Sequence, residues 1–233
     1  MPEVVLITGT RKGIGRHLVG HFIERGCAVA GCSREEFDGP VPQGYRHYRA
    51  DVADEQAVVS MVRDASDRLG PITILVNNAG IASMNHLLLT PVATVQRVFA
   101  TNVLGTFLVM REAAKVMAAA GYGRIVNFAT VATPLNLEGE SAYASSKAAV
   151  ESLTRVAARE LAAFGITVNA VGPTPVMTDL VRSVPRQKMD ALIGRQAIRR
   201  MGEYRDVTHV INFLASRDSD FITGQTIYLG GVN

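Results

Sequence analysis

Short apolar runs alternate along this chain with longer stretches in which apolar positions recur at helical spacing. The runs at 4–7, 28–32, 45–49, 72–76, 125–128, 167–171 and 226–229 have the length and side-chain types of strands. Helical patterns fill the intervals, most clearly over 16–25, 94–119 and 143–164. Such alternation predicts a parallel sheet with helices on both faces, an α/β fold of the doubly wound, Rossmann type. No internal repeat, low-complexity tract or linker interrupts it, so residues 1–233 read as a single domain.

Composition narrows this picture. With 233 residues, 48% of them hydrophobic, the chain can bury one substantial core without a second domain. A formal charge of +3, with both signs spread along the chain, lacks the basic cluster expected of a nucleic-acid-binding protein. Cys27 and Cys32 stand five apart on a predicted strand, face opposite sides and are not expected to pair. No basic-then-apolar leader and no apolar run of about 18 residues is present, which predicts a soluble, cytoplasmic protein with no membrane partner. His17 and His21 stand at i and i+4 on the first helix without an acidic or Cys partner, so no metal site is expected and a solvated helix face is.

Candidate chemistry sits at three places. After the first run comes Thr8-Gly9-Thr10-Arg11-Lys12-Gly13-Ile14-Gly15, then a helical pattern. Glycines here permit a tight turn and let a pyrophosphate approach backbone N–H groups at a helix N-terminus. Arg11 occupies the place of the second glycine of the Gly-x-Gly-x-x-Gly fingerprint. Tyr143 and Lys147, four residues apart, project from one helix face. A phenol titrates near pH ~10, and a neighbouring ammonium is expected to lower that value and make the pair an acid/base device. At the end of the second strand, Ser33 and Arg34 stand where a carboxylate would take a ribose hydroxyl or a cation a 2′-phosphate.

Several motifs together resemble the short-chain dehydrogenase/reductase family. The glycine turn matches its Thr-Gly-x-x-x-Gly-x-Gly, Asn77-Asn78-Ala79-Gly80 its Asn-Asn-Ala-Gly signature, and Asn102 its helix asparagine. Thr130 ends the fifth strand thirteen residues before Tyr143, where the family usually has serine. The resemblance implies a catalytic tetrad of Asn102, Thr130, Tyr143 and Lys147. Tyr143 would give the proton, Lys147 would also hold the nicotinamide ribose, Thr130 would polarise the carbonyl and Asn102 would hold a water leading to Lys147. It implies cofactor contacts from Gly9, Arg11, Lys12, Gly13, Ile14, Gly15, Ser33, Arg34, Asp51, Val52, Asn78, Ala79, Gly80, Tyr143, Lys147, Pro173, Val176 and Thr178. The absence of an Asp at the strand end, with Arg34 and Lys12 nearby, points to NADP(H). Glu35 or Glu36 binding a ribose is the alternative, and Asp51 can equally be a helix cap. Asn102 has the alternative of satisfying local backbone.

The resemblance also bears on the rest of the chain. Residues 37–44 carry two prolines and two glycines where relatives have a crossover helix, which is expected to be shortened or missing. Residues 171–178 resemble the family's Pro-Gly segment, with Thr174 for glycine, so an extended backbone at φ < 0 is expected there. A substrate lid is expected at about 176–201, lined by Met177, Leu180, Val184, Met189, Leu192 and Ile193, and carrying Arg182, Arg186, Lys188, Arg195, Arg199 and Arg200. By overall pattern the chain is most similar to 3-oxoacyl-(acyl-carrier-protein) reductases. Relatives of that branch dock their carrier with two arginines at positions that hold Gly121 and Phe164 here. The expected function is NADPH-dependent ketone reduction, of a 3-oxoacyl thioester on acyl-carrier protein or CoA. The alternatives are a dehydrogenase or ketoreductase of a free small-molecule or polyketide substrate, and a non-catalytic dinucleotide sensor. The resemblance further implies a homotetramer or homodimer through the two long helices.

Overall fold

The computed structural model describes residues 2–178, 181 and 184–232. Strands β1 (Val4–Thr8), β2 (Ala28–Ser33), β3 (Tyr45–Arg49), β4 (Ile74–Asn77), β5 (Gly123–Phe128), β6 (Ile166–Gly172) and β7 (Thr226–Tyr228) form one sheet. Their order is 3-2-1-4-5-6-7, and every neighbouring pair is parallel. The helices are α1 (Gly13–Glu24), α2 (Glu55–Leu69), α3 (Val92–Phe99), α4 (Gly105–Ala120), α5 (Ala132–Leu135), α6 (Ser141–Leu161), α7 (Arg186–Gly194) and α8 (Tyr204–Ala215). The doubly wound parallel fold is as expected, with β4 starting two residues later than the apolar pattern suggests.

β1 is buried at every position because both faces of the sheet are covered. Val5 and Ile7 pack with Leu18 and Phe22 of α1 and Val207 and Ile211 of α8. Leu6 packs on the other face with Val58 and Met61 of α2 and Leu108 and Met117 of α4. Period-two alternation within an all-apolar strand therefore builds two separate cores, one per face. Cys32 belongs to the second core and Cys27 to the first, and both are free thiols. Burial pushes the Cys32 thiol up to about 12, so it is an inert core residue.

Three local outcomes differ from or refine the sequence reading. No helix forms at 34–44, where Pro40 and Pro42 remove backbone donors and Gly39 and Gly44 take φ +82° and +86°. The predicted helix 94–119 runs instead as α3, a π-helical turn at Ala100–Leu104, and α4. Joined, Val92–Ala120 is long and apolar enough by length and composition to cross a membrane, which the search for one unbroken apolar run passed over. In this fold its α4 half buries Leu108, Val109, Ala113 and Met117 against the sheet and α2. Finally, His17 is exposed and His21 half-buried, in keeping with a solvated face, but both side chains also make contacts. His17 stacks on Tyr204 at 5.0 Å and His21 Nε2 lies 2.9 Å from Asn212 Oδ1, tying α1 to α8.

Candidate active site

The sheet order reverses direction between β1 and β4, and ligands of open α/β sheets bind beyond the carboxyl ends at such a point. Here the glycine turn and the segment after β4 are locked together. Asn78 Nδ2 donates to Thr8 O at 2.9 Å and to Gly9 O at 3.1 Å, and the Ala79 N–H donates to Thr8 Oγ1 at 2.9 Å. Gly9 takes φ +73°, and a Cβ there would fall 2.9 Å from Ala79 Cα. At Gly15 a Cβ would fall 2.3 Å from Gly9 O, so neither position tolerates a side chain. Lys12 is the N-cap of α1, and neither a capping side chain nor an acidic residue occupies the first turn. The positive end of this helix is thus left for an anion, and the cradle fits a pyrophosphate.

At the outer edge, Ser33 ends β2 and Arg34 is exposed. Arg11 pairs with Glu35 and, at 3.1 Å, with Asp38. That ion pair engages the Glu35 carboxylate, one of the two acids that could have taken a ribose hydroxyl. Asp51 Oδ1 accepts from the Ala53 N–H at 3.0 Å, while the cap of α2 is Asp54, which accepts from Ala57 N at 3.1 Å. Val52 is buried, and its Cγ2 fills the space where a Cβ on Gly105 would be, so only its main chain is available to a ligand.

The tetrad residues converge from three elements. Tyr143 and Lys147 lie on α6, Thr130 follows β5, and Asn102 sits in the π-turn, a helix irregularity frequent at functional sites. Thr130, Tyr143 and Lys147 line a cleft of about 1160 Å³ together with Ile14, Asn78 and Gly80 on one side and Pro173, Val176 and Thr178 on the other. Lys147 is 4% exposed, and its Nζ donates to Phe128 O at 2.8 Å. A Cβ on Gly80 would stand 3.3 Å from Asn102 Oδ1 and 3.4 Å from that Nζ, so the segment after β4 packs closely against both.

Electrostatics reverses one expectation. Burial pushes the Tyr143 phenol up to about 12, with the Glu140 carboxylate adding to the shift and the Thr130 hydroxyl opposing it. The Lys147 ammonium does not offset this, and its own charge is costly: burial pulls Lys147 down to about 8, against the favourable field of Glu151. Burial thus favours the neutral form of both groups, the protonated phenol and the uncharged amine.

Asn102 is fully buried. Its Oδ1 accepts from Ile81 N and its Nδ2 donates to Ile81 O and to Ser146 Oγ, each at 2.9 Å. The partner backbone is 21 residues away, so the side chain is a brace between elements and not a filler of its own helix. Ser146 passes the brace on: its hydroxyl donates to Tyr143 O at 2.7 Å. Its only sequence signal was the place three residues after Tyr143.

The lid is thinner. Val176 bridges to Gly202, and α7 buries no residue. Val184, Met189 and Leu192 line the cleft, joined by Val181, Leu135 and Leu137. Met177 and Ile193 do not line it, and Leu180 and Arg182 lie outside the described residues. Thr174 is buried, and Asn136 is the one non-glycine with positive φ among the described residues, so Thr174 holds φ < 0 as expected. Most of the lid cations are used internally: Arg186 pairs with Asp190, Arg195 Nη2 donates to Leu135 O, Arg200 pairs with Asp206, and Lys188 approaches Met84 Sδ. Among the described residues no group of His, Cys, Asp and Glu could hold a metal.

The family described as Enoyl-(Acyl carrier protein) reductase matches residues 9–233. The 3-oxoacyl-[acyl-carrier-protein] reductase FabG of Staphylococcus aureus (strain Mu50 / ATCC 700699) is 33% identical, over 99% of this chain and 98% of its own. The (2S)-[(R)-hydroxy(phenyl)methyl]succinyl-CoA dehydrogenase subunit BbsD of Thauera aromatica is 36% identical, over 98% and 95%. Among solved structures, ElxO with NADP bound superposes with a TM-score of 0.90 at 32% identity, covering 98% of this chain and 97% of that one.

Proposed function

This chain belongs to the short-chain dehydrogenase/reductase family, and from that premise we propose that it is an NADPH-dependent ketoreductase whose substrate is a 3-oxoacyl thioester. The observation that carries the reading is the convergence of Thr130, Tyr143 and Lys147 on one cleft that continues into the glycine turn. NADPH, when bound, supplies the hydride. The turn Gly9, Arg11, Lys12, Gly13, Ile14 and Gly15 would hold its pyrophosphate, and Ser33 and Arg34 its 2′-phosphate. Asn78, Ala79, Gly80, Pro173, Val176 and Thr178 would line the nicotinamide half, with Asp51 and the main chain of Val52 at the adenine.

As negative charge grows on the carbonyl oxygen, Tyr143 delivers a proton to it and Thr130 donates a hydrogen bond. A phenol held at about 12 is fully protonated at neutral pH and gains its driving force from the alkoxide it neutralises. Lys147, with its midpoint near 8, then reprotonates the phenolate, and Asn102, through Ser146, keeps the first turn of α6 in place. The retained Tyr and Lys, with the reductase relatives, set aside the non-catalytic sensor.

For the substrate, the apolar wall of Leu135, Leu137, Val184, Met189 and Leu192 suits an acyl chain. The thioester reading accords with relatives named for acyl-carrier-protein and CoA substrates. A free ketone is the second reading, favoured by the engagement of Arg195 and Arg200 within the chain and by Gly121 and Phe164 at the docking positions. Exposed Leu104 and Phe107 on the joined helix, with Val156 on α6, suit pairing of two copies in a homodimer or homotetramer. NADPH consumption with 3-oxoacyl thioesters, matched free ketones and both NADPH and NADH tests the reading. Turnover confined to thioesters supports it; turnover only of free ketones overturns the substrate assignment and leaves the chemistry standing.

A further inference from the structure

A hydrogen-bonded chain runs through the edge that reads the adenosine half of the cofactor, and the reduction chemistry does not use it. It begins at Thr10 in the glycine turn, fully buried, with its Oγ1 3.2 Å from Cys32 O and 2.6 Å from Tyr45 Oη. Tyr45 Oη lies 2.8 Å from His47 Nδ1. His47 Nε2 in turn lies 3.2 Å from Ser33 Oγ and 3.1 Å from the main-chain oxygen of Glu35, to which the Ser33 hydroxyl donates at 2.5 Å.

The packing makes room for this chain. Gly31 is the register partner of His47, and a Cβ there would fall 2.9 Å from Tyr45 Oη and 2.6 Å from Thr10 Cγ2. Phe37, from the segment that replaces the crossover helix, covers Tyr45 and His47 with ring centroids at 5.1 Å and 5.7 Å.

Counting hydrogens shows what the arrangement accommodates. The Glu35 oxygen can only accept, and the one hydroxyl hydrogen of Ser33 is spent on it, so His47 Nε2 carries a hydrogen. Nδ1 is under no such constraint. With a neutral ring, Thr10 donates to Tyr45 and Tyr45 donates to Nδ1. When the ring takes a second proton, Nδ1 donates to Tyr45, Tyr45 to Thr10, and Thr10 to Cys32 O. Both states leave every polar atom partnered, and burial pushes the Tyr45 phenol up, so it remains a hydroxyl in both.

We propose that His47 is a proton-dependent specificity residue for the 2′-phosphate, its imidazolium placing a positive charge one hydrogen bond behind the Ser33–Glu35 turn. This rests on the assignment of Ser33 and Arg34 as the 2′-phosphate edge. The other charges around the ring are Arg11, paired with Glu35 and Asp38, Arg49, whose Nε donates to Arg34 O, Arg34 itself, and Arg16 over Phe37. Asp51 is turned to Ala53 N. A phosphate at this edge favours the imidazolium, so by linkage a 2′-phosphorylated ligand raises the midpoint of His47, and the preference for NADPH over NADH gains as pH falls through it.

The test is ring-proton NMR of the five histidines in the whole chain, titrated alone, with 2′,5′-ADP and with 5′-AMP. His47→Gln identifies the signal, and ring-to-backbone correlations in the native chain do so if that variant does not fold. The expected result is an upward shift of roughly half to one pH unit with 2′,5′-ADP and none with 5′-AMP. Tyr45→Phe, which removes the acceptor for Nδ1–H, is expected to lower the midpoint. In direct binding, His47→Gln is expected to cut the NADPH-over-NADH affinity ratio about three- to tenfold at the acid end of a pH series and progressively less towards the alkaline end. Tighter binding of 2′,5′-ADP than of 5′-AMP with an unmoved His47 midpoint overturns the proposal and leaves the NADP(H) reading intact. Equal binding of the two nucleotides overturns both.

Discussion

Lys147 and Met189 line the same cleft, yet they are held in opposite ways. Lys147 is 4% exposed, bonded to the end of β5, and shares its surroundings with Asn102 and Ser146, whose own bonds reach Ile81 and Tyr143. Met189 belongs to α7, which buries nothing and starts at Pro185 without a side-chain cap. The floor fixes groups to within a hydrogen-bond length, as proton transfer requires. The lid offers apolar surface whose shape few contacts specify. On the proposed reading, chemistry and substrate choice thus fall to regions held by unequal numbers of buried contacts.

The strongest way to break this division is at the proton donor. Tyr143→Phe keeps the buried ring and removes the hydroxyl, and is expected to lower single-turnover reduction by about 10²–10⁴-fold while NADPH binding, followed by fluorescence, changes little. Reduction by the native chain is expected to decline on the alkaline side with a midpoint near 8, as Lys147 loses the proton that restores the phenol. Lys147→Arg should move that midpoint upward. A decline that stays put in the arginine variant would assign it to another group.

Next in size is the brace. Asn102→Ala strands the part-buried Ile81 N and Ile81 O and removes a buried partner of Ser146. Unmet buried polar groups cost on the order of 1–3 kcal/mol each before relaxation, so a loss of about 2–3 kcal/mol in urea unfolding is expected. Turnover should fall with it through displacement of α6. A variant of native stability with impaired turnover would mean that Asn102 acts by holding a water, as the family resemblance suggests, and not as a brace.

The lid should respond otherwise. Leu192→Ala and Met189→Ala are expected to raise KM for long acyl chains by roughly tenfold, to affect short chains less, and to cost under about 1 kcal/mol of stability. Equal effects on short and long chains would show that these side chains support the floor.

The same contrast separates what the sequence disclosed from what it did not. β1, β4 and β5 announce themselves because burial on both faces demands apolar side chains, and Gly9 and Gly15 because a Cβ at each would collide with named atoms. Tyr143 and Lys147 were legible from helical spacing, but the direction of the phenol's shift was not, since it depends on burial that no local pattern encodes. Ser146 and the chain from Thr10 to His47 were missed for a related reason. Their partners lie up to 44 residues apart, and polar pairs at such separation leave no periodic trace. Lid residues fared worst: Met177 was expected to line the cleft and is 59% exposed. A segment with few buried contacts imposes little pattern on its sequence.

A further contact anchors the end of the lid to α8, and it predicts the smallest effect. Arg200, at the end of the lid, forks onto Asp206 in the first turn of α8 with Nη1–Oδ2 at 2.6 Å and Nη2–Oδ1 at 2.9 Å, while Glu203 N donates to the same carboxylate at 2.8 Å. The Arg200 bonds, aided by that N–H, hold Asp206 down at about 2, below the ~3.9 of an unfolded chain. A depressed carboxylate contributes stability that is fully present above the unfolded value and is lost as pH falls through the folded one. With Arg200 about half exposed, solvent screening reduces the contribution to about 1 kcal/mol. Asp206→Asn should therefore be less stable than the native chain by that amount at neutral pH. The gap should narrow as pH drops below about 4 and close towards about 2, and KM for long acyl chains should rise slightly as the end of the lid loosens. A gap in urea midpoints that stays constant from neutral pH into this window would place the loss in the capping of α8, and the lid would then be held by its other ties, among them Val176 to Gly202 and Arg195 to Leu135 O.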